Sequence, residues 1–300
     1  MVLPVFHGIF AGVGGVAYAG YFGGGSGGLT TVDKFAFVDD SRTTLGTGLS
    51  TGRYALAGMA NSGTAGYFGG GRDSSPINVV DKFAFASDSR TILGTALSVS
   101  RYFLGAMANS GTAGYFGGGW SNTVDKYAFA SDSRSTLSAT LSVANARELS
   151  GMANSGTAGY FSGIYFPNQQ TVNKFAFSDD SRSTLGTGLS NAVRANAAMA
   201  NSGTAGYFGG GWDGSYRYNV VDKFAFSDDS RTSLSATLYG GRCQNAGMAD
   251  SGVAGYFGGG NSSTDQTEKF AFSDDSRTVL GTGLSSARVW LAAMANTEGL

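Results

Sequence analysis

Residues 59–70 read Met-Ala-Asn-Ser-Gly-Thr-Ala-Gly-Tyr-Phe-Gly-Gly, and this stretch recurs along the chain. Its Gly-Tyr-Phe core occurs six times, and each copy follows the previous one after 45 to 49 residues. The six tyrosines are Tyr21, Tyr67, Tyr115, Tyr160, Tyr207 and Tyr256. A period of this length indicates a repeat architecture in which each unit packs mainly on its neighbours.

Each unit divides into four short strand candidates, as the second copy shows. Residues 54–61 lead into an Asn-Ser-Gly turn, 64–69 return, and 79–85 and 91–97 flank a Ser-Asp-Ser turn. Asn, Asp and Ser favour such turns because their side chains can bond the local backbone. No segment has sustained helical periodicity. The sequence therefore predicts an all-β fold, a six-bladed β-propeller of four-stranded antiparallel blades.

A propeller must join its last blade to its first. Residues 289–296 follow the sixth unit and repeat the first-strand sequence better than the N-terminal segment does. We therefore expect 289–296 to pair as the innermost strand of blade 1 beside 16–24, with 1–13 as an N-terminal extension. The alternative is that 9–15 complete blade 1 and the C-terminal strand is extra. The predicted propeller domain, 14–300, has blades at 16–50 plus 288–296, 53–98, 101–143, 147–190, 194–238 and 242–286.

Three features of each unit resemble the kelch repeat. They are an arginine before the first strand, an aromatic strand ending in Gly-Gly, and a third strand starting near Val-Asp-Lys-Phe, as in Arg53, 67–70 and 80–83. The resemblance covers essentially the whole chain and implies a propeller, and the style of the repeats is similar to that of uncharacterised bacterial and phage surface proteins. The chain departs from the kelch pattern in the fourth strand, where kelch repeats usually carry Trp and this chain has Leu93.

The composition does not favour nucleic acid or a membrane as a partner. The net charge is −1, so there is no excess of positive charge to attract nucleic acid or anionic lipid. No apolar run approaches the ~20 residues of a membrane-spanning helix, so we expect no membrane insertion. Residues 17–19 resemble a signal-peptidase site, but no Lys or Arg lies near Met1, and we expect no cleaved signal.

The residues that most enzymes need are scarce. His7 is the only histidine and Cys243 the only cysteine, so a His/Cys metal cluster cannot be built, and the two histidines of kelch-like copper oxidases are missing. A Ser-His-Asp triad would require His7. The glycine runs lack the Lys-Ser/Thr of a phosphate loop, and paired carboxylates such as Asp39 and Asp40 recur as turn residues. We expect no enzyme, no cofactor and no metal, and leave open whether the Asp-rich turns bind calcium.

Most of the basic residues belong to the repeat. One lysine and one turn arginine in each unit indicate repeated structural ion pairs. A third set precedes the first strand, which lines the central channel, and one predicted role for it is an anion-binding ring at one channel mouth. The alternative, which we favour, is that each arginine hydrogen-bonds the carbonyls of a neighbouring blade. The set comprises Arg53, Arg101, Arg147, Arg194, Arg242 and Arg288.

The loops between the second and third strands vary from copy to copy, and variable loops on a repeated scaffold commonly carry specificity. We predict that they bind a protein partner or a glycan through aromatic and basic side chains. The candidates are Arg72, Trp120, Tyr165, Phe166, Trp212, Tyr216, Arg217 and Tyr218.

These features together favour a non-enzymatic structural or adhesive module. A virion, a phage tail or a cell surface is its favoured location, and residues 1–13 could hold it in a larger complex. The alternative is a lectin that uses the aromatic loops, and an enzyme is the least favoured reading.

Overall fold

Six four-stranded antiparallel sheets surround a central channel, and each of blades 2 to 6 is one continuous segment of the chain. The computed structural model describes residues 18–165, 167–261 and 264–297. From the channel outward, blade 1 consists of β24 (Ala292–Asn296), β1 (Ala19–Gly23), β2 (Val32–Ala36) and β3 (Arg42–Thr44), and blade 2 of β4 (Ala57–Asn61), β5 (Ala65–Gly69), β6 (Val80–Ala84) and β7 (Ser89–Ile92). Blade 3 consists of β8 (Leu104–Asn109), β9 (Ala113–Gly118), β10 (Val124–Ala128) and β11 (Ser133–Thr136), and blade 4 of β12 (Ser150–Asn154), β13 (Ala158–Ser162), β14 (Asn173–Ala176) and β15 (Arg182–Thr184). Blade 5 consists of β16 (Ala197–Asn201), β17 (Ala205–Gly209), β18 (Val221–Ala225) and β19 (Arg231–Ser233), and blade 6 of β20 (Ala246–Asp250), β21 (Ala254–Gly258), β22 (Thr267–Ala271) and β23 (Arg277–Val279).

The ring is closed by the last strand of the chain. β24 pairs antiparallel with β1, with Tyr21 opposite Met294, so the predicted closure through the C-terminal segment is confirmed. The proposed N-terminal extension, residues 1–13, and the only histidine, His7, lie outside the described residues.

The Gly-Tyr-Phe strand is the core of each blade because both of its faces are covered. In blade 2, Phe68 packs edge-on against Phe83 of the same blade, with ring centroids 5.9 Å apart. Tyr67 points the other way and stacks on Phe129 of blade 3 at 5.3 Å. The whole strand is buried, whereas the outermost strand is largely exposed. The repeated aromatic pair thus packs each blade onto the next.

The glycine before each of these tyrosines lets neighbouring blades approach closely. In blade 3, a Cβ added to Gly114 would lie 2.2 Å from the Met59 Sδ of blade 2. A side chain there would force the methionine of the previous blade to move, since its sulfur fills the space.

A second contact, a clasp of Tyr, Lys and Asp, joins every blade to the following one. The Tyr21 hydroxyl donates to Asp88 Oδ1 at 2.8 Å, and Lys34 Nζ donates to Asp88 Oδ2 at 2.7 Å. Asp88 has a left-handed backbone, with φ at 53°, which turns its carboxylate toward blade 1. The remaining clasps use Asp132, Asp180, Asp229, Asp275 and, across the closure, Asp40. The repeat lysine and turn aspartate are therefore structural.

The Asn-Ser-Gly turns line one end of the channel and also link the blades. The backbone N–H of Gly111 donates to Asn61 Oδ1 at 2.8 Å, and that of Ser62 donates to Ser110 Oγ at 3.0 Å. This turn face surrounds a cavity of about 400 Å³ lined mainly by Ala, Gly, Ser and Met. The variable loops lie at the opposite end.

Candidate functional site

Arg53 lies inside blade 2 and not at the channel surface. Its guanidinium is fully buried, with Nη1 3.1 Å from Asp81 Oδ2, and Nη2 donates to the Phe68 carbonyl at 3.1 Å. Burial lowers the pKa of Arg53, and the charge of Asp81 opposes this effect. The same carboxylate oxygen accepts hydrogen bonds from Ser50 N and Oγ, at the end of blade 1. The ion pair therefore fastens a blade to the chain segment that enters it.

Three other arginines repeat this arrangement, so the predicted anion-binding ring is wrong for four of its six members. Arg101, Arg242 and Arg288 are buried and pair with Asp125, Glu268 and Asp33. Their charges are already neutralised inside the protein. The carbonyls that Arg53, Arg101 and Arg288 bond within the blades belong to the arginine's own blade, so the alternative involving a neighbouring blade is also wrong for these three.

Arg147 and Arg194 are offset by one residue, and their guanidiniums lie among the aromatic rings of the variable face instead of in the buried ion-pair position. Each precedes the methionine of its strand by five residues, whereas the other four arginines precede theirs by six. The buried position is therefore taken by Ala146 in blade 4 and Val193 in blade 5. In blade 4 the partner acid is also missing, since Asn173 replaces it. The changed spacing was the sequence signal for this difference.

The two displaced arginines join three predicted aromatic residues in one stack, which we name the cation–π arc. Arg147 Cζ lies 3.6 Å from the ring centroid of Trp120 and 4.3 Å from that of Tyr165. Arg194 Cζ lies 3.8 Å from the centroid of Tyr165 and 4.3 Å from that of Trp212. Each such contact contributes about 0.5–2 kcal/mol, depending on its exposure. Side chains from blades 3, 4 and 5 thus form one alternating layer on the variable face.

The arc continues onto blade 2 through Tyr102. Its ring lies 6.2 Å from that of Trp120 and 5.2 Å from Arg72 Cζ, and Arg72 Nη1 donates to the Tyr102 hydroxyl at 3.2 Å. Sequence reasoning did not select Tyr102, although it stands at the repeat position that Arg147 and Arg194 occupy in their blades.

A groove of about 300 Å³ opens beside this end of the arc. It is lined by Pro76, Ser100, Arg101, Tyr102, Gly119 and Trp120. Trp120 is 48% exposed and has φ at 67°, a left-handed backbone that costs a bulky residue about 1–2 kcal/mol. The protein therefore holds a strained, exposed indole at the edge of a groove, which is a feature of binding surfaces.

The remaining predicted residues form the blade 5 loop. Tyr216 is 71% exposed, and Arg217 is also exposed. The Asp213 carboxylate accepts from the backbone N–H groups of Ser215 and Tyr216 and from the Tyr218 hydroxyl. These hydrogen bonds lower the pKa of Asp213 and raise that of Tyr218. The loop tip is thus tied to its own carboxylate, while Phe166, the last predicted residue, lies outside the described residues.

Inside the arc, a ring of backbone hydrogen bonds encircles the channel. We name it the mouth ring, and its six residues all have left-handed backbones with φ between 54° and 62°. Each N–H donates to the carbonyl of the previous member at 2.7–2.9 Å, and the sixth bond closes the circle. The members are Ala55, Phe103, Glu148, Ala195, Gln244 and Trp290. Desolvation raises the pKa of Glu148, and the nearby charges of Arg194 and Arg147 lower it.

Neither a cluster of metal ligands nor a reactive thiolate is found among the described residues. No three His, Cys, Asp or Glu side chains within residues 18–165, 167–261 and 264–297 are grouped so that they could hold a metal ion. Cys243 is buried, and burial raises the pKa of its thiol to about 11, so it is protonated at neutral pH. No helix in these ranges is long and apolar enough to cross a membrane. The arrangement is suited to recognition through stacking and hydrogen bonding.

Comparison with known proteins supports the fold. No family model matches the chain, and no curated protein does. A solved structure titled "Structure of YjhT" is similar with a TM-score of 0.65 and 13% sequence identity, covering 81% of this chain and 87% of that one. At this identity the likeness is one of architecture alone. The chain is therefore a six-bladed β-propeller, placed by its structure and not by a sequence family.

Proposed function

We propose that this propeller is a non-enzymatic interaction module that holds a protein partner on its variable face. The cation–π arc is the observation that carries the proposal. Side chains of three neighbouring blades converge there, whereas the turn face repeats nearly the same Asn-Ser-Gly turn in blades 2 to 6. A recognition surface is expected to differ from blade to blade, and the variable face does.

The physical character of the arc suits a protein interface. Trp, Tyr and Arg are the residues most enriched among those that dominate binding energy. Stacking already fixes Arg147 and Arg194 between rings, so little side-chain entropy remains to be lost when a partner binds. The exposed side chains of Trp120 and Tyr216 are left to contact the partner. We place the module in a virion, tail or cell-surface assembly, because its repeats resemble those of bacterial and phage surface proteins.

The test compares capture of partners by two matched variants. We expect the immobilised wild-type protein to retain a specific protein from a host lysate. The double variant Trp120→Ala/Tyr216→Ala should bind that protein at least tenfold more weakly. Val253→Ala is the control, because Val253 is an exposed apolar residue on the turn face and should leave binding unchanged. Equal retention of the same protein by both variants would show that the variable face is not the binding surface.

A lectin is the second candidate, and the groove beside Trp120 favours it. A pyranose ring could stack on Trp120 or Tyr102 while its hydroxyls bond Ser100. A glycan array probed with wild-type protein, Trp120→Ala and Val253→Ala separates the two functions. Glycan binding that only Trp120→Ala loses supports the lectin, and its absence at high protein concentration rejects it.

A further inference from the structure

The layer of side chains directly beneath the mouth ring is not uniform. Four blades place a leucine in it, but blades 5 and 6, which are neighbours, place Asn196 and Asn245. The six residues line a cavity of about 60 Å³ toward the mouth and one of about 90 Å³ deeper in the channel. We name this space the channel chamber. Its layer comprises Leu56, Leu104, Leu149, Asn196, Asn245 and Leu291.

Asn245 is buried with its hydrogen bonds unmade. It is 6% exposed, and neither its Nδ2 nor its Oδ1 has a hydrogen-bond partner among the residues that the structure describes. Asn196 is equally buried, and its Oδ1 accepts from Ser150 Oγ at 2.9 Å. An unpartnered buried amide destabilises a protein, and the same fold accepts leucine at this place in four blades. Stability therefore does not explain Asn245.

The polar groups of the chamber lie together on one side. In the mouth ring above the layer, blade 4 contributes Glu148 and blade 6 contributes Gln244. The opposite side carries Phe103 and Trp290, whose ring centroids are 4.4 Å apart. The chamber is thus polar over blades 4 to 6 and aromatic or aliphatic over blades 1 to 3.

We propose that the channel chamber binds a small, neutral, planar molecule that carries a hydrogen-bond donor beside an acceptor, of which an aromatic primary carboxamide is the simplest form. The Asn245 amide presents a donor, Nδ2, beside an acceptor, Oδ1. A ligand with an acceptor beside a donor can therefore form two hydrogen bonds with it side by side. The leucines and the Phe103–Trp290 pair suit the flat apolar part. Glu148 is already paired with Arg194, at 3.3 Å, which favours an uncharged ligand.

The size of the chamber agrees with a ligand of one ring. The two parts of the chamber, of about 60 and 90 Å³, share the residues of the leucine and asparagine layer. For comparison, an engineered apolar cavity of about 150 Å³ in another protein holds benzene. This site is independent of the partner surface proposed above, because it uses none of the aromatic rings of the cation–π arc.

The experiment measures binding of benzamide and benzoate to the full-length protein by ligand-observed NMR. We expect benzamide to bind wild-type protein, and benzoate, which lacks the donor and is charged, to bind at least tenfold more weakly. Asn245→Leu should weaken benzamide at least tenfold. This variant restores the residue of the other blades, so it is expected to fold, with an unchanged circular dichroism spectrum and a raised Tm.

Three results would overturn the proposal. They are no benzamide binding to wild-type protein at millimolar concentration, equal binding by Asn245→Leu, and equal binding of benzoate. Val253→Ala on the turn face is the control and should bind benzamide as the wild type does. Binding that Asn245→Leu retains would place benzamide elsewhere, for instance in the 400 Å³ cavity at the other end of the channel.

Discussion

The buried ion pair of Arg53 and Asp81 can be tested against a replacement that the chain itself contains. Both side chains are fully buried, with Nη1 and Oδ2 3.1 Å apart. Arg53→Ala leaves the buried Asp81 carboxylate without its nearest counter-charge, and breaking such a pair costs about 3–5 kcal/mol. Asp81→Asn alone leaves the guanidinium buried and is expected to cost a similar amount.

The double variant Arg53→Ala/Asp81→Asn reproduces blade 4, where Ala146 and Asn173 occupy these two positions. There Asn173 Oδ1 accepts from Ser142 N at 3.1 Å, as Asp81 Oδ2 accepts from Ser50 N at 2.9 Å. Because removing both charges of a buried pair is often nearly neutral, we expect the double variant to lose about 2 kcal/mol or less. The coupling between the two sites would then be at least about 4 kcal/mol.

Urea unfolding monitored by tryptophan fluorescence gives the free energies of unfolding of the wild type, the two single variants and the double variant, which make up this double-mutant cycle. Arg90→Ala is the control, because Arg90 is partly exposed and lies 3.7 Å from Asp81 Oδ1, so its loss should cost no more than about 1 kcal/mol. If the two single losses add up to the loss in the double variant, the pair is not coupled and the reasoning from blade 4 is wrong.

Two further predictions concern the contacts between blades. Gly114→Ala should destabilise the protein by about 1–3 kcal/mol in urea unfolding, because the added Cβ would lie 2.2 Å from Met59 Sδ. The control is Gly94→Ala, which has open space around it and should not change the free energy of unfolding measurably. Equal effects of the two substitutions would contradict this packing. The tyrosines of the Tyr-Lys-Asp clasps have pKa values raised first by burial and then by the bonded aspartate, as for Tyr67 with Asp132. Their contribution to stability should therefore be complete below the ordinary value of 10.0 and decline as the pH rises above it, since only the unfolded chain ionises readily there. Phenolate absorbance that appears before unfolding at alkaline pH would count against this prediction.

The fold could be predicted because its determinants are local and occur six times. The Asn-Ser-Gly turn and the Gly-Tyr-Phe strand reveal the blade, and the sixth copy of the first-strand sequence, ending at Asn296, reveals how the ring closes. Neither inference needs the position of any side chain.

The candidate site was predicted only in part, because its contacts join residues from different blades. Trp120, Tyr165 and Trp212 were identified as loop aromatics, but Arg147 and Arg194 were grouped with the buried arginines. The one-residue change in spacing moves a guanidinium out of the buried ion-pair position and in among the aromatic rings of the variable face. A repeat alignment anchored on the methionines would have shown this shift.

The asparagines of the channel chamber could have been found in the same way. Asn196 and Asn245 stand three residues before the methionines of their strands, where the other four blades have leucine. The missing hydrogen bonds of Asn245, in contrast, depend on its neighbours and needed the structure.

The pairing of β24 with β1 also sets an order of events during synthesis. Tyr21 cannot pair with Met294 until the ribosome has added about 270 more residues. At a synthesis rate of roughly 5–20 residues per second, β24 becomes available to pair with β1 only about 14–55 s after β1 has been made. During that interval the nascent chain carries an unpaired strand edge, the kind of surface that invites aggregation. A chain truncated before β24 would keep that edge open, so we expect it to be less soluble than the loss of one short strand suggests.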